Sequence, residues 1–201
     1  MSCKSVLVVG CSGFIGSSLV AKLLANGTTV YGAYNTNKPT IEHPRLILLS
    51  SLFQSDNFKD FLTRHHDINT IFFIAGSGSV GSAFNSPHYD FQNSAAALSI
   101  ILSSLLELSL QHIHLVFASS AAVYGSGYNI PINEGMPLSP ISPYAVHKKI
   151  SEELIHSYVT HYGINASVIR FFSVYGPRNK KQLIWDAFEK FSTSSNPTFF
   201  G

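Results

Sequence analysis

The chain has 201 residues, of which 45% are apolar and 12% charged, with a net charge of +2. That length suits one domain with a full core, and so mild a charge gives no ground for a nucleic-acid partner. Charged residues stand at about half their usual share, as expected of a surface partly covered by a second copy or by further polypeptide.

Short apolar runs alternate with longer helical patterns along the chain. "SVLVVG" (5–10) reads as a buried strand and "FIGSSLVAKLLANG" (14–27) as a helix closed by a glycine. "TTVYGAY" (28–34) and "RLILLS" (45–50) read as the second and third strands, and "SDNFKDFLTRHH" (55–66) as a helix opened by cap residues. "NTIFFIAG" (69–76) is a fourth, wholly apolar strand, followed by one long helix from about Pro87 to Leu110. A strand at 112–120, a helix at 143–163, a strand at 165–176, a helix near 180–192 and a short strand at 197–200 complete the pattern. Continuous apolar strands separated by helices predict an α/β fold: a doubly wound parallel sheet with helices on both faces, as one domain over 1–201.

The longest apolar segment, "AAALSIILSSLLELSL" (95–110), is too short and too polar to span a bilayer. The first ten residues run straight into a strand and leave no room for a signal peptide. Cys3 and Cys11, one of them in a glycine-rich turn, suit a reducing compartment, so a cytoplasmic protein without a membrane partner is expected. Among the nine histidines, "HIH" (112–114) alternates on a strand and "HH" (65–66) ends a helix, neither with the company of a metal site, so no metal is expected. His147 is expected at the surface or in an interface.

"VVGCSGFIG" sets Gly10, Gly13 and Gly16 between the first strand and the first helix. Glycines at this junction let the backbone turn tightly and approach a pyrophosphate, whose charge meets free N–H groups at the helix start. The spacing G-x-x-G-x-x-G is a variant of the dinucleotide fingerprint. An acid is expected at the end of the second strand to hold the adenosine ribose of NAD, yet the chain reads Tyr34-Asn35 with Lys38 nearby. Asn35 could bond a ribose hydroxyl and Lys38 a 2′-phosphate, so NAD and NADP both stay open.

Tyr144 and Lys148 lie four residues apart in "SPYAVHKKISEEL" (142–154), on one face of a helix. With the glycine loop, "SSAAVYG" (119–125) and "IRFFSVYGPR" (169–178), this pair resembles the extended short-chain dehydrogenase/reductases. Within that family the chain is most similar to the NAD-dependent epimerase/dehydratase group, in particular to nucleotide-sugar epimerases such as UDP-glucose 4-epimerase.

The resemblance implies roles position by position. Ser120 matches the catalytic serine, Tyr144 the acid/base, and Lys148 the residue that holds the nicotinamide ribose and lowers the tyrosine pKa. Phe14 and Ile15 match loop positions beside the pyrophosphate, and Ser51 and Leu52 positions near the adenine. Ala75 and Gly76 pass along the cofactor, Asn93 lies near the active site, Ser119 counts with it among the cofactor-binding positions, and Phe172 stands behind the nicotinamide. Tyr144 and Lys148 thus count as both catalytic and cofactor-binding. A nucleotide-diphosphate sugar is the implied substrate, oxidised and re-reduced with bound NAD. The group's homodimer pairs the helices matching 87–110 and 143–162 across a two-fold axis.

Some positions depart from the family pattern. Ser51 replaces an aspartate, Gly78 a lysine and Ser173 an asparagine, while Ala121-Ala122 stand where dehydratases carry an acidic pair. The last departure disfavours a dehydratase. Relatives continue past the position of Gly201 into a small substrate-binding domain, so a piece of a longer protein is expected. An NADP-dependent reductase and a non-catalytic dinucleotide-binding protein remain as alternatives.

Overall fold

A computed structural model describes residues 5–50, 55–76, 80–177, 179, 182–193 and 198. Cys3, Ser51, Leu52, Gly78 and, apart from Thr198, the strand predicted at 197–200 lie outside these residues.

The described strands are β1 (Ser5–Val9), β2 (Thr29–Tyr34), β3 (Leu46–Ser50), β4 (Ile68–Phe73), β5 (His114–Ser120) and β6 (Ala166–Phe171). They form one parallel sheet in the order β3-β2-β1-β4-β5-β6. β1 is buried along its whole length, as a central strand covered on both faces must be. Its alternation divides the core. Val6 and Val8 pack with Val20 and Leu24 of helix α1 (Phe14–Ala25). Leu7 and Val9 join Phe58, Phe61 and Leu62 of α2 (Ser55–Arg64) on the opposite face. The expected doubly wound sheet is therefore present, and the strand order reverses between β1 and β4, where such sheets open a crevice at the carboxyl ends of their strands.

The structure differs from the sequence reading at four places. The helix predicted as one piece from Pro87 is built of α4 (Pro87–Phe91), a π turn (Gln92–Ala96) and α5 (Ala97–Glu107), and it ends short of Leu110 as Ser109 takes φ 56°. A short helix α3 (Val80–Asn85) precedes it, in a stretch too rich in small residues to show a helical period. A 3-10 turn, Ala121–Tyr124, follows β5. The last strand stops at Phe171, because that residue pairs with Ser120, the last residue of β5. Residues 172–176 then run irregularly.

α6 (Pro143–Tyr162) follows its end signals closely. The Ser142 hydroxyl accepts from the Ala145 N–H at 3.2 Å, Pro143 fills the first turn, and Gly163 closes the helix at φ 69°. α7 (Gln182–Thr193) is the last described helix. No described helix is long and apolar enough to cross a membrane.

Candidate active site

The glycine loop is held by contacts that admit no side chain at Gly10 or Gly16. Gly10 has φ 87°, and a Cβ there would stand 2.8 Å from the Ala75 nitrogen. The Gly10 and Cys11 N–H groups both donate to the Ala33 carbonyl, which ties the turn to β2. At Gly13, the N-cap of α1, an added Cβ would meet only the Gly10 oxygen, at 3.4 Å. No side chain caps this helix and no acid stands in its first turn, so its start retains its partial positive charge toward an incoming anion. Phe14 and Ile15 are half-buried in that first turn, the Phe14 ring reaching toward Gly176.

A cleft of about 410 Å³ runs along the carboxyl ends of β1, β2 and β4. Gly10, Gly13, Tyr34, Asn35, Ala75, Gly76 and Asn93 line it, all of them named from the sequence. The Asn35 amide donates to the Asn93 side-chain oxygen at 3.4 Å, and the Asn93 amide donates to the Tyr89 carbonyl at 2.8 Å. Ser12, Thr36, Asn37, Tyr89 and Gln92 line it too, and sequence reading missed them. The turn after β2 carries no motif, and Tyr89 and Gln92 stand where α4 passes into the π turn. A glycine cradle, an uncapped helix start and a long cleft with polar amides fit a dinucleotide.

Gly76 joins this cleft to the Tyr144 region, since a Cβ on it would lie 3.5 Å from Lys148 Nζ. Lys148 is 4% exposed. Its ammonium donates to the Ala118 carbonyl at 2.7 Å and stands 4.7 Å from the Phe117 ring centroid and 5.8 Å from that of Tyr144. Burial pulls the amine down to about 8, against the opposing charges of Asp90 and Glu152. The expected lowering of Tyr144 is not found in the protein alone. Burial pushes the phenol above its usual value, a hydrogen bond with Ser120 opposes this, and the Asp90 charge adds to the rise. The Ser120 hydroxyl, at the end of β5, also accepts from the Ala122 N–H at 3.2 Å. The structure thus brings Ser120, Tyr144 and Lys148 together.

Ser119 points elsewhere: its buried hydroxyl donates to Glu152. Glu152 also takes three contacts from Arg170, Nε at 3.1 Å to each oxygen and Nη2 at 2.8 Å. Arg170 Nη1 donates to the Tyr124 hydroxyl at 2.7 Å and to the Glu134 carbonyl at 3.0 Å. These bonds hold the guanidinium well above its ordinary value, the Glu152 bond foremost. One ion-paired network therefore ties β5, the 3-10 turn, α6 and β6 together behind Ser120. Phe172 is 60% exposed and past the end of β6, so it is not packed with this group.

His147 is not a surface residue. Its Nδ1 meets Asp90 Oδ2 at 2.6 Å, and its side chain is 13% exposed. The correction follows from helix geometry: a residue three positions after Tyr144 shares that residue's side of α6. Asp90 is 1% exposed, and nothing in the sequence near it announced a functional acid.

A family model described as "NAD dependent epimerase/dehydratase family" matches residues 6–201. The chain is 32% identical, over 98% of its length, to the uncharacterized UDP-glucose epimerase YtcB of Bacillus subtilis and covers 65% of that protein. It is 30% identical to the UDP-glucose 4-epimerase of Halalkalibacterium halodurans, over 86% of this chain and 51% of that protein. Among solved structures, the UDP-N-acetylglucosamine 4-epimerase from Methanobrevibacter ruminantium in complex with UDP-N-acetylmuramic acid superposes with a TM-score of 0.87 at 26% identity, over 100% of this chain and 66% of that one. The UDP-glucose 4-epimerase of Thermus thermophilus in complex with NAD gives 0.78 at 28% identity, over 87% and 57%. The chain spans less than two thirds of the length of each of these four proteins.

Proposed function

We propose that this chain, which belongs to the NAD dependent epimerase/dehydratase family, is the cofactor-holding and catalytic unit of a nucleotide-sugar epimerase. The observation that carries the reading is the meeting of Tyr144, Ser120 and Lys148 beside Gly76, at one end of the glycine-lined cleft. NAD, when bound, supplies a hydride acceptor at the sugar carbon and a hydride donor for its return. In this reading Gly10, Gly13 and the start of α1 receive the pyrophosphate, Asn35 a ribose hydroxyl, and Lys148 the ribose nearer the reacting carbon. Gly16, buried under the loop, acts by letting α1 approach it.

Tyr144 Oη takes the proton from the sugar hydroxyl as that carbon is oxidised, and returns it when the carbon is reduced from its other face. Ser120 Oγ donates to the sugar oxygen as charge develops there. The ammonium of Lys148 favours the phenolate through its positive charge. Loss of water would need an acid beside Ser120, and the chain offers two methyl groups there, at Ala121 and Ala122. The carboxylates nearby, Asp90 and Glu152, are buried and paired with His147 and Arg170. That supports epimerisation over dehydration.

A homodimer through α4–α5 and α6 belongs to the same reading. Phe91, Val146 and Ile150 are all more than a third exposed on these helices, and the latter two form a one-turn stripe. Ile155, on the same helix, lies in the core. The buried free thiol of Cys11 suits a reducing compartment, and we place the protein in the cytoplasm.

The test is to incubate the protein with UDP-glucose, UDP-galactose and their N-acetyl counterparts and follow the sugar protons by NMR. Each C4 pair should reach one mixture from either side, with no net absorbance change at 340 nm and with NAD released on acid denaturation. A steady change at 340 nm would replace the epimerase by a reductase. Bound dinucleotide without turnover would leave a binding protein.

A further inference from the structure

We propose that Asp90 and His147 act as one positioning pair behind Tyr144 and Lys148, Asp90 supplying the buried negative charge that keeps Lys148 an ammonium and His147 tempering that charge toward Tyr144. The inference rests on the roles given to Tyr144 and Lys148 above.

Its geometry is local. A carboxylate only accepts, so the 2.6 Å contact is an Nδ1–H donation from His147 to Asp90. The Phe91 ring packs edge-to-face with the imidazole, 5.5 Å from it at 69°. The Ser94 hydroxyl donates to the Asp90 carbonyl at 2.6 Å, and the Asp90 N–H donates to the Ser86 carbonyl, which fixes the backbone bearing the carboxylate. On α6, His147 lies about 60° to one side of Tyr144 and Lys148 about 40° to the other.

Charge balance explains why the pair is needed. Lys148 and Arg170 are the cations of this region, Asp90 and Glu152 the anions. Both Glu152 oxygens are engaged by Arg170, which leaves Asp90 as the main counter-charge for Lys148. Other titratable groups do not substitute. The sequence of α3 and the π turn carries none, and on α4 His88 and Tyr89 are exposed. On α5, Glu107 is paired with Lys59. From β6 and the 3-10 turn come only Arg170 and Tyr124, bonded to each other. On α6 itself, Lys149 donates to the Leu138 carbonyl, and Glu153 is exposed. The Asp90 charge therefore acts on both members of the pair: it supports the ammonium and opposes the phenolate. A donor on Asp90 draws off part of that opposition.

The experiment titrates Tyr144 directly, as the 295 nm tyrosinate signal of each protein minus that of its Tyr144→Phe counterpart, alongside the pH profile of kcat/KM. Asp90→Asn should move the Tyr144 ionisation, and both limbs of the profile, to lower pH by about one unit. His147→Phe should move the Tyr144 ionisation to higher pH, and His147→Asn, whose amide can donate in place of Nδ1, should reverse most of that move. If Asp90→Asn does not fold, the two His147 variants carry the test with the opposite sign. Unmoved ionisations with only a lower melting temperature would overturn the proposal and reduce the pair to packing. Shifted ionisations in a protein that turns over no nucleotide sugar would uphold the pair and remove the epimerase reading. Turnover with unmoved ionisations would do the reverse.

Discussion

The backbone of Gly16 lies so close to the Gly10 carbonyl that a Cβ on Gly16 would stand 2.0 Å from its oxygen. Backbone cannot retreat from such an overlap as a side chain can. Gly16→Ala is therefore expected to lower stability by about 3 kcal/mol and to abolish retention of dinucleotide. Gly127→Ala is the control: its φ of 89° strains any side chain, but nothing lies within 4 Å. It should cost about 1–2 kcal/mol and leave dinucleotide retention intact. Urea denaturation and the dinucleotide content of purified protein measure both.

Tyr144→Phe removes one oxygen and little volume. Turnover should fall by about 10²-fold or more, with the melting temperature nearly unchanged. Steady-state kinetics and circular dichroism on the same samples decide it, and undiminished turnover would take the acid/base role from Tyr144.

Lys148→Met should stabilise the protein at pH 7, and the advantage should shrink as the pH rises. Folding lowers the amine from 10.5 to about 8, so between those values the unfolded chain binds the proton more tightly and stability increases with pH. The cost of the buried charge is complete below about 8 and absent above 10.5. Between pH 7 and pH 10 the gap between variant and parent should close by about 2 kcal/mol, as read from urea midpoints. A gap that does not change with pH would place the amine's titration outside this window.

Glu152 and Arg170 should behave as a coupled pair. Arg170→Met strands a buried carboxylate and should cost about 3–5 kcal/mol, whereas Glu152→Gln keeps an acceptor for Ser119 and should cost less. The double variant should lose clearly less than the sum of the two. Additive losses in that cycle would show that the ion pair contributes nothing of its own.

Much of this was legible in the sequence because it is local. The apolar runs of β1 and of Ile71–Phe73 in β4, the glycine spacing after β1, and the Ser142-Pro143 and Gly163 ends of α6 each carry their own signal within a few residues. What escaped reading depends on distant segments meeting. Asp90 and His147 are 57 residues apart, and Ser119 and Glu152 33, so neither pair exists until α4 and β5 pack against α6. The end of β6 is hidden from the sequence for the same reason: an apolar run continues through Phe172, but its pairing partner does not.

The π turn at Gln92–Ala96 divides one rod into two lengths that are out of phase. Before and within it, Asp90 and Asn93 reach α6 and the end of β2; after it, Leu98, Ile101, Leu102 and Leu105 fill the core. An α-helix turns by about 100° per residue. Deleting one residue from the turn would straighten the rod and swing Asp90 off His147, leaving the leucines of α5 seated. The same deletion within α5 would unseat those leucines. Site and core here share a helix but not a phase, and one surplus residue keeps both in place.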